Sequence, residues 1–145
     1  MKLNFELVPD GCWGYNLRSA LKKEGWDAIR KTVYARAGGR CTVCGASSSR
    51  LEAHEVWSYS VYGGMGVQKL EDVVALCPAC HAVVHIGRTQ LKGDIRAAEE
   101  HFMRVNGVTY AEYRKALGEA NKKHSELNRI GEWSFDLSKL KEFLP

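Results

Sequence analysis

Four of the five cysteines form two pairs with the same internal spacing. Cys41 and Cys44 enclose two residues, Cys77 and Cys80 enclose two more, and 32 residues separate the pairs. Each pair can direct two thiols at one ion, and four thiolates in a tetrahedron suit a structural Zn²⁺. Two disulfides are the competing interpretation, but disulfides are typical of secreted chains. The pattern therefore predicts a structural zinc site that joins two distant segments.

Length and composition favour one compact unit. The chain has 145 residues and 45% hydrophobic content, which is enough for a single packed core. The N-terminal sequence lacks a basic region followed by an apolar stretch, and no apolar run is long enough to span a bilayer. We therefore expect a soluble, cytoplasmic single domain (1–145) without membrane contact. Within it, the unpaired Cys12 is interpreted as a small buried hydrophobe.

An amphipathic helix is predicted before the first cysteine pair. Apolar residues recur at helical spacing at Trp26, Ile29, Val33 and Ala37, and Gly38 then stops the helix. Residues 16–40 also carry seven Lys or Arg against two acidic residues. This local positive charge suits a phosphate backbone, although a solvated helix face is equally compatible with it.

The middle of the chain is predicted to form a hairpin followed by a helix. Residues 51–57 and about 67–70 have the pattern of short strands, joined by a glycine-rich segment that suggests a flexible loop. A short helix begins at Pro78, and Gly87 lies past its end. Two more helices are predicted in the last third, and a capping box formed by Thr109 and Glu112 is predicted to open the second. An apolar stripe on them favours core packing, and its members are Phe102, Val105, Tyr110, Tyr113 and Leu117.

Three of the five histidines lie next to the cysteine pairs. His54 lies on the first predicted strand, and His81 and His85 are four residues apart on the predicted helix. Residues at this spacing share one helix face, so both imidazoles could reach one ion. Because the zinc already has four sulfur ligands, these histidines predict a second metal position. Histidines satisfied within the core are the alternative interpretation.

The combined motifs resemble a known nuclease family. The segments CTVC, LEAHEVW, EDVVALCPACH and AVVH, within residues 38–88, resemble the HNH or ββα-metal endonucleases in their four-cysteine variant. The resemblance implies an α+β fold with a small ββα-metal core at 38–88. Residues 1–37 would form an N-terminal extension with the basic helix, and residues 12–37 within it resemble the extension of one bacterial and phage subgroup. Residues 89–145 would form a C-terminal helical extension outside the family core.

The resemblance also implies a function. A chain of this family would hydrolyse phosphodiester bonds in DNA with one catalytic divalent cation, Mg²⁺, Mn²⁺, Ni²⁺ or Zn²⁺, beside the structural Zn²⁺. It would act in the cytoplasm of a bacterial cell or a phage-infected host. The alternative is a catalytically inactive nucleic-acid-binding or protein-interaction module on the same scaffold.

Site residues follow from the resemblance position by position. His54 falls at a metal-ligand position, Glu55 at the general-base position and Asp72 at the position of the usual Asn, which opens the next element in that family. His81 and His85 fall at the helix positions, so the implied catalytic cation is held by the three histidines, and His81 also counts among the catalytic residues. Asp72 can still accept backbone hydrogen bonds. Glu55 is the larger departure, because a carboxylate is a poor base at neutral pH unless burial raises its pKa.

Three hypotheses therefore remain for the pair His54 and Glu55. In the first, burial raises the pKa of Glu55, which then acts as the base. In the second, His54 is the base, and the cation is held by His81 and His85 with Glu55 or Asp72. In the third, the site binds metal or DNA without cutting. Because neighbouring strand residues point to opposite faces, one member of the pair is expected to enter the site unless the strand is kinked.

Basic residues are the expected contacts to the nucleic-acid backbone. Most lie in the N-terminal basic segment, and one follows the last histidine of the core. The predicted set is Arg18, Lys22, Lys23, Arg30, Lys31, Arg40 and Arg88.

Overall fold

The computed structural model describes residues 1–144 and has an α+β architecture. Within this described part, six helices accompany one three-stranded sheet. None of these helices is both long enough and apolar enough to cross a membrane. In chain order the elements are α1 (Leu17–Ala20), α2 (Lys23–Ala37), β1 (Glu52–Tyr62), β2 (Met65–Leu76), α3 (Pro78–Val84), α4 (Ile86–Leu91), α5 (Arg96–Asn106), α6 (Tyr110–Leu127) and β3 (Trp133–Asp136).

Strands β1 and β2 form a long antiparallel hairpin. Its register runs from Glu52 opposite Leu76 to Tyr62 opposite Met65. Only Gly63 and Gly64 separate the strands, with φ angles of 56° and 79°. Two consecutive positive φ angles are typical of the tight turn that joins twisted antiparallel strands. The prediction of a flexible loop between the strands was therefore wrong, and both strands are longer than the sequence pattern indicated.

The third strand was not predicted. β3 pairs in parallel with β2, beginning where Gly66 lies opposite Trp133. A Cβ added at Gly66 would lie 2.5 Å from the Trp133 ring, so the absence of a side chain at Gly66 permits this pairing. The sheet order is β1–β2–β3, which leaves β1 with a free edge.

Each face of the hairpin packs on a separate hydrophobic cluster. One cluster joins α2 to β2, with Ile29 and Val33 packed in the same cluster as Val73 and Ala75. The other joins the end of β2 to α3, α5 and α6, and its buried members include Leu76, Val83, Phe102, Tyr113 and Leu117. The predicted apolar stripe of the C-terminal helices thus lies largely in this second cluster, while Tyr110 is exposed.

Both predicted signals at the ends of α2 and α6 are confirmed. Gly38 adopts a left-handed conformation after α2 and donates its N–H to the carbonyl of Tyr34. Thr109 and Glu112 form a reciprocal capping box at the start of α6. Such local hydrogen bonds satisfy backbone groups that the helix leaves unpaired.

The helix after β2 differs from the prediction. α3 ends at Val84, and His85, with φ −94° and ψ 50°, separates it from α4. Gly87 therefore lies inside α4 and does not end the preceding helix. The amide of His85 still donates to the carbonyl of His81 at 3.1 Å, so the two histidines remain one turn apart.

Candidate metal centre and adjoining groove

The four paired cysteines converge as predicted. The ligand atoms of Cys41, Cys44, Cys77 and Cys80 all lie within 4.8 Å of one another. Cys77 is also the N-cap of α3, where its sulfur accepts the N–H of Cys80. Four clustered thiols are the ligand set of a structural zinc site, so this group could hold a metal ion such as zinc.

Backbone contacts hold the first cysteine pair against the sheet. The Thr42 amide donates to the carbonyl of Ala75 at 2.8 Å, and the Thr42 hydroxyl accepts the Ala75 amide at 3.2 Å. Ala75 lies two residues before Cys77, so these bonds bring the two cysteine pairs together independently of the metal.

A histidine from α5 contacts the cysteine cluster. His101 is buried, and its Nε2 lies 3.2 Å from the sulfur of Cys80. The Arg104 guanidinium lies 3.2 Å from Nδ1 of His101. Because Arg donates only, Nδ1 must accept and Nε2 must carry the proton that is donated to sulfur. Sequence spacing did not indicate this contact, which orients a metal ligand from outside the ligand set.

The three predicted histidines also converge. Ligand atoms of His54, His81 and His85 lie within 4.8 Å of one another, and their ring centroids are 4.6–5.8 Å apart. β1 positions the first imidazole, the last turn of α3 positions that of His81, and His85 lies at the junction between α3 and α4. Three imidazoles this close together could hold a divalent cation, and imidazole ligands suit ions such as Zn²⁺ and Ni²⁺.

Burial keeps two of these imidazoles neutral. Desolvation, together with the nearby His54, His81 and Arg88, lowers the pKa of His85 to about 3. Desolvation also lowers the pKa of His81, although the Glu52 carboxylate opposes the shift. A neutral imidazole retains the lone pair that a metal requires, so both groups are available as ligands at neutral pH.

Two carboxylates that sequence reasoning missed contact the histidines. Oε2 of Glu6 lies 2.7 Å from Nε2 of His54, and Oε2 of Glu52 lies 3.1 Å from Nδ1 of His81. Glu52 shares a strand face with His54, two residues away. Glu6 comes from the N-terminal segment, where its position between Phe5 and Leu7 was the only sequence signal.

Glu55 lies beside the histidine cluster without joining it. It leaves β1 on the face opposite to that of His54, and its Oε1 accepts the amide of Leu17. Burial raises the pKa of Glu55; the Leu17 amide opposes this shift, and the Glu6 charge adds to it. Only one member of the pair therefore joins the histidines, as the alternation predicted.

Asp72 lies inside β2 and does not join the histidine group. It stands opposite Val56 within β2, and its carboxylate accepts the amide of Val73. It belongs to neither metal-ligand group among the described residues. The structure does not bring this residue to the histidines, because β2 is longer than predicted and Asp72 does not open a new element.

A groove adjoins the three histidines. Its volume is about 1010 Å³, and the N-terminal segment lines it together with the three histidines and Glu55. Arg18 and Arg88 are exposed residues of its lining, and so is Trp13, which is 75% exposed. The groove thus places two guanidinium groups and an aromatic ring near the candidate metal site, together with the carboxylates of Glu6, Glu52 and Glu55.

The other predicted basic residues lie elsewhere. Arg30 pairs with Asp27 on α2, and Arg40 donates to the carbonyl of Gly45. The remaining three are exposed in the segment leading into or along α2, and they are Lys22, Lys23 and Lys31. Of the predicted set, only Arg18 and Arg88 line the groove.

Comparisons of the chain with protein-family models, curated proteins and solved structures found no match. The functional proposal therefore depends on the chemistry of the side chains described above.

Proposed function

We propose that this protein is a metal-dependent endonuclease that hydrolyses phosphodiester bonds in DNA, with an HNH or ββα-metal core at residues 38–88. The observation that carries the proposal is the group formed by His54, His81 and His85, whose ligand atoms lie within 4.8 Å of one another. A zinc-stabilised binding module needs the four thiols and not this second group. A hairpin and a following helix present the histidines beside a groove, as the resemblance implies.

The chain's own groups account for the main chemical requirements. His81 and His85 would hold a divalent cation, with His54 adjacent. When bound, such a cation neutralises charge on the phosphate and on the leaving oxygen. Arg88 and Arg18 line the groove and would bind neighbouring phosphates of the strand. A side chain near the cation would accept the proton of the attacking water.

His54 is the base that we favour. It belongs to the histidine group, and the Glu6 carboxylate at 2.7 Å would stabilise the imidazolium that forms when His54 accepts a proton. One oxygen of Glu55 is already engaged by the Leu17 amide, on the other strand face. The raised pKa of Glu55 supports the competing hypothesis, and the two are separable by substitution.

Cleavage of supercoiled plasmid by zinc-loaded protein tests the proposal. The reactions contain Mg²⁺, Mn²⁺, Ni²⁺ or EDTA, and the variants are His54→Ala, Glu55→Gln and His81→Ala, with Glu71→Gln as a surface-carboxylate control. We expect nicking that requires metal, that is lost in His81→Ala and His54→Ala, and that persists in Glu71→Gln. Persistence of nicking in Glu55→Gln supports His54 as the base, whereas its loss there and retention in His54→Ala would assign that role to Glu55.

The same assay can also rule out the proposed nuclease activity. If folded, zinc-loaded protein cleaves no plasmid with any of the metals but retards DNA in a gel, the function is binding. The three histidines would then form a metal site without hydrolytic activity.

A further inference from the structure

We propose that Glu6 is a positioning residue of the histidine site, and that it fixes the tautomer of His54. Its carboxylate accepts the Nε2–H of His54, which leaves the lone pair of that imidazole on Nδ1. This inference rests on the metal site of the proposed function, although it does not require that the protein cut DNA.

The N-terminal segment holds Glu6 in place through its neighbours. Alternate residues Leu3, Phe5 and Leu7 pack into the cluster around α3 and α5, so Glu6 points to the other side of this extended segment. The Phe5 ring stacks on Phe102 with centroids 4.8 Å apart.

Backbone hydrogen bonds anchor the same segment at two points. The amide and carbonyl of Leu3 both bond to the side chain of Asn106, at 3.0 and 2.9 Å. The amide of Glu6 donates to the carbonyl of Val84, the last residue of α3, at 2.8 Å. The carboxylate is thus tied to the helix that carries His81 and His85.

Burial makes the contact between Glu6 and His54 chemically specific. The two side chains are 13% and 8% exposed, and a buried carboxylate is costly unless it is hydrogen-bonded. A carboxylate acceptor can bond to an imidazole nitrogen only if that nitrogen carries a proton. The second nitrogen of a neutral His54 must then be the unprotonated one.

The contact between Glu52 and His81 is a weaker counterpart of the contact between Glu6 and His54. It has the same chemistry, but its carboxylate side chain is 61% exposed, so solvent weakens the interaction. Without DNA, the Nδ1 lone pair of His54 would be free to act as a third ligand beside His81 and His85. Carboxylates behind metal-binding histidines typically change metal affinity by about 10- to 100-fold. We expect the effect of Glu6 on metal affinity to lie near the upper part of this range and the effect of Glu52 to lie below the range.

The first test is the tautomer itself, read from long-range ¹H–¹⁵N correlation spectra of zinc-loaded protein without a second metal. The expected wild-type state of His54 is Nε2–H. Glu6→Gln retains an oxygen acceptor and should preserve this tautomer, whereas Glu6→Ala should shift the population toward Nδ1–H. Finding Nδ1–H in the wild-type protein overturns the proposal without relying on any variant.

The second test is Mn²⁺ binding to the same zinc-loaded proteins, measured from the electron paramagnetic resonance signal of free Mn²⁺. Mn²⁺ prefers oxygen and nitrogen ligands and is a weak competitor for thiolates. We expect affinity to fall about 10- to 100-fold in Glu6→Ala, less in Glu6→Gln and Glu52→Gln, and to be unchanged in Glu71→Gln. Wild-type affinity in a folded Glu6→Ala protein would overturn the proposal. Because neither test uses DNA, a protein that fails to cleave plasmid can still confirm the role of Glu6.

Discussion

Removing the metal from the cysteine cluster should destabilise the fold substantially. A ligand present at 1,000 times its dissociation constant stabilises the native state by about 4 kcal/mol, from a total of about 5–15 kcal/mol. At about 2–4 °C per kcal/mol for a chain of this size, zinc loss lowers the melting temperature by about 8–16 °C. The effect should centre on α3, because Cys77 and Cys80 lie at its start.

The matched substitutions Cys80→Ala and Cys12→Ala isolate this effect. Both thiols are buried, but only Cys80 belongs to the cluster. Thermal unfolding by circular dichroism and zinc content by atomic absorption are measured for each. Equal melting temperatures with one zinc per chain in both variants would refute the reasoning.

Three further perturbations test separate features. His101→Ala should speed zinc transfer to a chelator by about 10- to 100-fold, because the hydrogen bond from His101 to the Cys80 sulfur is lost. An unchanged transfer rate would contradict a role of His101 in orienting Cys80. The pKa of His85 falls from 6.5 in the unfolded chain to about 3 in the fold. The neutral His85 imidazole therefore contributes its full stability above pH 6.5, and this contribution declines as the pH falls toward 3. The urea midpoint of zinc-loaded wild type should consequently drop more between pH 7.5 and pH 5.5 than the midpoint of His85→Gln. Gly66→Ala places a methyl group against the Trp133 ring and should cost about 1–3 kcal/mol, and an unchanged urea midpoint would argue against the parallel pairing of β3.

Local patterns predicted the parts of the site that lie close together in the sequence. The cysteine spacing identified the thiol cluster, and the interval between His81 and His85 identified two imidazoles one turn apart, because helix geometry makes such residues neighbours. Contacts between distant segments leave no comparable signal. Glu6 meets His54 across 48 residues, and His101 meets Cys80 across 21.

The fold shows the same division between local and distant information. Gly38 and the capping box at Thr109 act through hydrogen bonds to nearby residues, so their sequence signals were sufficient. Strand β3 depends on a parallel partner 67 residues earlier, at Gly66 opposite Trp133. The apolar and polar residues of its sequence, WSFD, alternate, but four residues are too few to identify a strand's partner. Asp72 was assigned by resemblance to a position that opens an element, but continuous pairing with β1 places it inside β2.

The cysteine group and the histidine group both include residues of α3. Metal binding by one group should therefore affect metal binding by the other. Cys80 and His81 are consecutive residues, so they diverge by about 100° around the helix axis and serve different groups. The thiols position the start of α3, while the N-terminal segment bonds to its last residue, Val84, through Glu6. The separation of His81 from His54 therefore depends on both attachments, although neither the zinc ligands nor Glu6 belongs to the three-histidine group. Loss of zinc should consequently weaken cation binding by the histidines through the position of α3, without any exchange of ligands between the sites.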